Sequence, residues 1–527
     1  MLYRQGWQGG PQGFRPLVLA LTGALVLLAS CVNGNREYDE AEHSAFGEYV
    51  YALDTLQMEQ CLAHLLNADT LRWAADDPIH SRYASIGKYE NAPLWFSRLG
   101  VSSQADTLLS FLHRELSRHG LDPAAFFLPQ IAADLEVVHK LAFDSVGQSI
   151  NEVLPRLDYL LSKAYARYTV GQRYGFVRPD KMLNRMDYKT DGDGYARLFD
   201  YEVKAPDYDE PVRKLEGADR MDYLFQSQPA DPLYQTLQKE LTAAPDQASR
   251  QKIAVNMERC RWQVKRPDGP GRYILVNIPA LQLWAVGGDT VLDMRICCGA
   301  YATKTPLLQS EITHLQVNPD WIIPQSIVNN EVSAHGGDSA YFARHRYYIV
   351  DRQSGDTLDP AGVTGAEMRE RRFRIGQKGG VGNSLGRIVF RFPNNFGVYL
   401  HDTNNRGAFQ RERRTLSHGC VRVQKPFDLA CFLLPAADEW TLDRIRLSMD
   451  IRPQTERGRQ YLIDHAGGPR PLRLMPYHDV VPRVPVFINY YTVYPNPKTG
   501  SIEQWPDLYG YDKVISREMK QFLPQWR

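Results

Sequence analysis

The chain has 527 residues, 43% of them hydrophobic and 23% charged, with a formal net charge of +1. This is an ordinary globular composition, long enough for two to four domains. The near-neutral balance gives no footprint for nucleic acid or for a strongly anionic partner.

Residues 1–31 read as an export segment rather than as part of the fold. Arg4 and Arg15 supply a short basic start, and the apolar run Leu17–Ser30 is too short to favour a lasting membrane span. Leu28-Ala29-Ser30-Cys31 has the form of a bacterial lipobox, which predicts lipidation of Cys31 as the first mature residue. An ordinary signal peptide and an uncleaved anchor helix are the alternatives. Two or three acyl chains would hold the protein stably on a membrane. Val32 stands where an aspartate would retain the protein at the inner membrane, so the expectation is a periplasmic, lipid-anchored protein at the outer membrane.

From Asp39 to Pro179 the pattern is helical: Leu108, Leu112 and Leu116 recur at i, i+4, and Leu157, Leu160, Leu161 and Ala164 continue it. Gly120 and Pro123 predict a helix stop, and Trp95 and Tyr168 are assigned to the core. Residues 180–232 are rich in Asp, Tyr, Arg and Pro and read as an irregular linker; Asp191-Gly192-Asp193-Gly194 lacks the downstream acids of a calcium loop and is read as a turn. Helix returns over Leu233–Arg266.

After Arg272 the period shifts to two. Tyr273–Ile278, Leu281–Val286 and Val291–Ile296 predict consecutive strands joined by a tight turn at Gly287-Gly288-Asp289, and Ile388–Phe392 and Val398–His401 predict two more. Between Trp321 and Gln377 lies a long polar stretch, a length of connection that is usually functional or mobile. Its arginine run, Arg369 to Arg374, is read as a solvated helix face.

The segment Val398–Val423 carries the chemistry. A cysteine thiolate is a strong nucleophile at neutral pH but needs a base or cation nearby. Ser417-His418-Gly419-Cys420 sets an imidazole two residues before the sulfur, and His401 lies on a separate predicted strand. Gly419 permits a sharp turn whose amides, with that of Cys420, are candidate oxyanion donors. Of the remaining cysteines, Cys61, Cys260, Cys297, Cys298 and Cys431 are scattered and read as mostly buried thiols, a Cys61–Cys260 bridge being the one pairing considered. With neither CxxC nor HExxH, no metal site is expected, and no cofactor.

His401, fifteen intervening residues, then Ser417-His418-Gly419-Cys420 and a hydrophobic residue resembles the signature of the L,D-transpeptidase catalytic domain. Gly382–Gly386, Asn277-Ile278-Pro279-Ala280, Lys304-Thr305-Pro306, Val317–Trp321, Asn256–Trp262, Ala92–Phe96 and the closing segment from Pro485 extend the resemblance over roughly residues 80–525, to the long scaffold-bearing Gram-negative subfamily. The resemblance implies an α+β chain: a mainly helical scaffold over 39–265, then a β-sandwich catalytic domain over 270–450 with a capping lid at about 322–378. A C-terminal extension, 451–527, would pack on both. About twenty residues separate Leu237 from Asn256, too few for the peptidoglycan-binding module that well-known members insert there.

The implied activity is a cysteine acyl transfer between peptidoglycan tetrapeptide stems, as donor and acceptor, giving 3-3 cross-links. Cys420 would be the nucleophile and His401 the base, oriented by the Asp402 backbone carbonyl; His418 is the auxiliary or competing base. Arg422, Tyr399, Trp321 and Ser417 are the candidate substrate contacts. Acylation by carbapenems is expected. The same site could instead pass the stem to a protein amine or to water, and a catalytically silent wall-binding lipoprotein is the reading from another class. A papain-like protease would place its cysteine near the mature N-terminus with the histidine far downstream, the reverse of the order here.

Overall fold

The computed structural model describes residues 53–70, 72–85, 93–97, 99–186, 197–267, 271–466 and 473–524. Cys31 and the lipobox, and the turn read at 191–194, lie outside the described residues.

Six principal helices build the N-terminal half: α1 (Thr55–Ala68), α2 (Ser103–Arg118), α3 (Leu128–Lys140), α4 (Ile150–Tyr174), α5 (Pro232–Ala243) and α6 (Gln247–Arg261). The leucines at i, i+4 on α2 are fully buried, as their spacing predicts, and Ser102 caps the helix by accepting the Gln104 N–H. Helix α4 opens on a capping box, Ser149 with Glu152, and is buried almost all round because the other helices wrap it. Most of its buried polar side chains are paired. Asp158 accepts the N–H groups of Leu94 and Trp95 and the Tyr83 hydroxyl, Arg167 grips Asp76 at 2.6 Å, and Lys163 reaches Asp69 at 2.5 Å. Trp95 and Tyr168 are core residues.

The 180–232 segment is more ordered than its composition suggests. It holds short helices at Glu210–Glu216 and Arg220–Gln226, and a two-residue strand, Phe199–Asp200, that joins the main sheet. Elements this short have no periodicity to read.

The strands of the second half are β1 (Tyr273–Asn277), β2 (Gln282–Gly287), β3 (Thr290–Gly299), β4 (Leu307–Val317), β5 (Trp321–Ile322), β6 (Tyr347–Asp351), β7 (Thr357–Leu358), β8 (Phe373–Gln377), β9 (Ile388–Arg391), β10 (Leu400–His401), β11 (Thr415–Ser417), β12 (Val421–Val423) and β13 (Tyr477–Asn489). The main sheet runs β9-β10-β12-β3-β2-β1-β13-β4, and β4 pairs again with β9. The sheet thus returns on itself and encloses its core between opposing faces, as a sandwich does. Strand β13 lies between β1 and β4, parallel to one and antiparallel to the other. It is therefore part of the main sheet, not an extension laid over it, and a boundary at 450 would leave the sheet open. The apolar run Val484 to Ile488 within it carries no sign of its place in the ladder.

The remainder of the C-terminal segment clasps the scaffold. The Asn256 amide donates to Thr492 Oγ1 at 2.7 Å and its carbonyl accepts the Thr492 N–H at 3.0 Å; Arg259 pairs with Asp512 at 2.6 Å; Phe522 packs on Phe176 with ring centres 4.6 Å apart. One hydrophobic cluster runs without a break from Leu62 in the scaffold to Leu523.

The 321–377 region has its own architecture. Four antiparallel strands in the order β7-β6-β8-β5 carry a separate small core of Ile323, Val328, Phe342, Ile349, Met368 and Ile375. The arginine run is not a helix face: the helix ends at Met368, Arg369 donates to Ser333 Oγ, and Arg372 leads into β8 with Nε on Asp351 at 2.9 Å.

Asn256 is fully buried, so Asn256→Ala strands the Thr492 N–H without an acceptor. The expected loss is ~1–3 kcal/mol in urea unfolding of the full chain, the cost of an unsatisfied buried group. An unchanged midpoint would mean that this junction carries no load.

Candidate active site

The site rests on one strand pairing. β10 and β12 run parallel, with Leu400 opposite Val421 and His401 opposite Arg422. The backbone continues the match, since the Val421 N–H donates to the Tyr399 carbonyl at 3.1 Å. Side chains alternate across a strand, so with Leu400 and Val421 fully buried, Tyr399, His401, Cys420 and Arg422 share the opposite face. Two residues nineteen apart in sequence become diagonal neighbours.

The turn before Cys420 is stapled by its own side chains. Ser417 is buried; its hydroxyl donates to the Cys420 carbonyl at 2.5 Å and accepts the Gly419 N–H at 3.2 Å. Thr305 Oγ1 donates to the Gly419 carbonyl at 2.8 Å, and the Gly299 N–H donates to the same hydroxyl. Gly419 sits at φ +117°, where a side chain would strain the backbone although space for a Cβ exists. Two expectations change here. The Ser417 hydroxyl is engaged in holding the turn, and the Gly419 N–H is spent on Ser417, which leaves the Cys420 N–H as the candidate oxyanion donor of the pair. Short hydroxyl-to-backbone bonds of this kind cannot be told from substrate contacts by motif spacing.

Cys420 is half-buried. Burial pushes its thiol pKa up, and the Tyr399 backbone and hydroxyl and the guanidiniums of Arg391 and Arg422 oppose that rise. His401 is buried, and burial with the charge of Arg422 lowers its pKa to about 3. The backbone groups of Asp402 and Leu385 favour the protonated ring, yet Nδ1 makes no hydrogen bond among the described residues. Both shifts favour the uncharged forms, a thiol and a neutral imidazole on one face of the sheet. Asp402 is itself held in place: its N–H donates to the Ile388 carbonyl and its carboxylate accepts the Arg387 N–H at 2.9 Å and Arg406 at 3.0 Å.

His418 points elsewhere. Its ring is exposed and Nε2 lies 2.8 Å from Glu331 Oε1, on the 321–377 region, so it links that region to the nucleophile turn. Arg422 has no acidic partner among the described residues, and its buried Nε is unsatisfied, which suits an incoming carboxylate or carbonyl better than a structural salt bridge. Trp321 and Tyr399 are both half-buried, with the Trp321 side chain acting on the Tyr399 hydroxyl.

Arg391 was missed. Its guanidinium lies 4.3 Å from the centre of the Tyr399 ring, and it bears on both Cys420 and His401. The signal was the register of two adjacent predicted strands: Val389 opposite His401 sets Arg391 across from Tyr399. Glu331 carried no signal, being distant in sequence and unmotivated by any motif. The six described cysteines outside the lipobox are all free. Among the described residues no group of three or more His, Cys, Asp or Glu is placed to hold a metal ion.

A cysteine, a histidine and two arginines thus share one face of the β-sheet, a set of groups that suits cysteine acyl transfer. Residues 271–440 match the L,D-transpeptidase catalytic domain, and residues 81–241 match the Scaffold domain. A Haemophilus influenzae protein whose curated name assigns it, provisionally, as an L,D-transpeptidase is 30% identical over 326 residues, which are 60% of each chain. The chain therefore carries an L,D-transpeptidase catalytic domain joined to a Scaffold domain, and it spans about three-fifths of the length of the relative it matches.

The charge states make a direct prediction. Alkylation of Cys420 by iodoacetamide, followed by peptide mass mapping, is expected to rise through an inflection above the ordinary thiol value of ~8.5 and to show no step near pH ~6.5, the ordinary imidazole value. With His401 neutral from about pH 3 upward, only the thiol is left to titrate. A step near neutrality would instead reveal a thiolate–imidazolium pair.

Proposed function

We propose that the protein is a peptidoglycan L,D-transpeptidase that forms 3-3 cross-links through a thioester on Cys420. The observation that carries this reading is the shared face of Tyr399, His401, Cys420 and Arg422 set by the β10–β12 pairing. The Cys420 sulfur attacks the carbonyl of the third residue of a tetrapeptide stem, a diamino acid, while His401 takes the thiol proton. The Cys420 N–H meets the developing oxyanion. The amide bond breaks, the proton passes to the leaving amine, and D-alanine departs. An amine on a second stem then attacks the thioester, its proton returns to the sulfur by way of His401, and a new amide links the two stems. Each step replaces one difficult amide exchange by two easier ones.

Arg422, with an unsatisfied Nε beside His401, is suited to hold a stem carboxylate. The Glu331–His418 bridge supports a role for the 321–377 region in covering the bound stem. Lipidation of Cys31 would place the enzyme on a membrane face within reach of the wall, and carbapenem acylation of Cys420 fits the same chemistry.

The test is product mass spectrometry with disaccharide-tetrapeptide. The expected product is a 3-3 dimer that has lost one alanine, absent with Cys420→Ala. His401→Gln is expected to lower turnover by about 10²–10⁴-fold, the usual contribution of a general base, and His418→Ala by far less. Release of alanine without dimer would assign water or a protein amine as acceptor. No turnover and no adduct would favour the wall-binding adaptor.

A further inference from the structure

A second cleft, of about 970 Å³, opens at the junction of the scaffold and the catalytic domain and contains none of the residues around Cys420. It is walled by the end of α4, the turn from Gln226 to Leu233 that leads into α5, and the chain that leaves α6 at Gln263–Pro267. Among the described residues, five cationic side chains line it (Arg173, Lys204, Arg261, Lys265 and Arg266) against one acid, Asp231. Asp231 is already engaged, pairing with Arg266 and capping α5. Arg261 is paired with Glu258, and Arg173 lies 3.8 Å from Glu210. Lys204 and Lys265 are exposed and have no acidic partner among the described residues.

A second observation points the same way. Gln172 lines the cleft and is 1% exposed, and its Nε2 has no hydrogen-bond acceptor. The amide orientation is fixed, because Oε1 accepts from Arg261 Nε at 3.0 Å and a guanidinium can only donate. Tyr234 adds a second donor to the same oxygen at 3.3 Å. Nε2 is therefore a buried donor without a partner, on a side chain that lines the same cleft as Lys204 and Lys265. Buried donors are nearly always satisfied, and an occupant of the cleft is one source of the acceptor that this donor lacks.

We infer that this cleft is a docking site for a second segment of the wall polymer, a peptide stem that presents free carboxylates to Lys204 and Lys265 and a carbonyl to Gln172. The inference rests on the peptidoglycan reading above. It supplies a recruiting surface in a chain whose spacing leaves no room for a separate peptidoglycan-binding module between Leu237 and Asn256. The site holds an acidic, amide-rich chain by charge and hydrogen bonds without chemistry, so its occupant is retained rather than consumed.

The test uses the full chain in detergent with Cys420→Ala, so that nothing turns over. Co-sedimentation with purified sacculi would be compared for that protein and for the same protein bearing Lys204→Glu and Lys265→Glu. The charge reversals are expected to weaken retention at least about tenfold, and sacculi stripped of stem peptides are expected to retain neither protein. In the Cys420 background, soluble disaccharide-tetrapeptide should be turned over equally with and without the reversals. As an independent readout, carbodiimide treatment of the Cys420→Ala protein with that ligand should join stem carboxylates to Lys204 or Lys265, seen by peptide mapping. Unchanged retention, equal binding to stripped glycan or cross-links confined to other lysines would overturn the docking site, whereas loss of turnover in the unmodified enzyme would overturn the transpeptidase reading instead.

Discussion

The proposed active site depends throughout on the parallel pairing of β10 with β12. A parallel pair cannot be closed by a tight turn and needs a crossover connection. Here Asp402 to Gly419 makes the crossover. Because the register sets His401 against Arg422, a shift of one residue would turn the histidine and the cysteine to opposite faces. The register is locked at both ends. At one, Asp402 is gripped by the Arg387 amide and Arg406; at the other, Ser417 and Thr305 fix the turn that delivers Cys420. The turn residues most like catalytic groups in the sequence thus serve geometry, and the reactive pair is defined by the sheet.

The sheet in turn depends on a strand that arrives late. β13 closes the gap between β1 and β4, and the chain beyond it threads back to the scaffold through Asn256, Arg259 and Phe522. Scaffold and catalytic domain therefore share one hydrophobic core, and the helix α6 is the joint between them. Several buried polar atoms of that joint lack a hydrogen-bond partner, among them Asn489 Oδ1, Tyr491 Oη and Gln172 Nε2, and of these three only Gln172 lines the second cleft. Charge-paired interior groups contribute little net stability, but each fixes an orientation that apolar packing alone leaves open.

How much of this was legible in the sequence follows from the range of each signal. Helix α2 announces itself through leucines on one face, and β1, β2 and β3 through alternation; both patterns are local. The His401 and Cys420 pairing was readable because the motif has a fixed length. The role of Ser417, the turn of His418 toward Glu331, the place of β13 and the small core inside residues 321–377 all require knowing which distant segments meet. No period or spacing encodes that. Arg391 falls between: the strand carrying it was recognised, and only its register against Tyr399 was missing.

The most direct test of the account is to trap the covalent intermediate. The full chain would be mixed with a tetrapeptide donor whose diamino-acid side-chain amine is blocked, so that no acceptor is present, and followed by intact mass and peptide mapping. The account predicts an adduct on the Cys420 peptide equal to the donor less alanine, slow to form in His401→Gln and absent in Cys420→Ala. An adduct on another cysteine, or equal rates with and without His401, would contradict it.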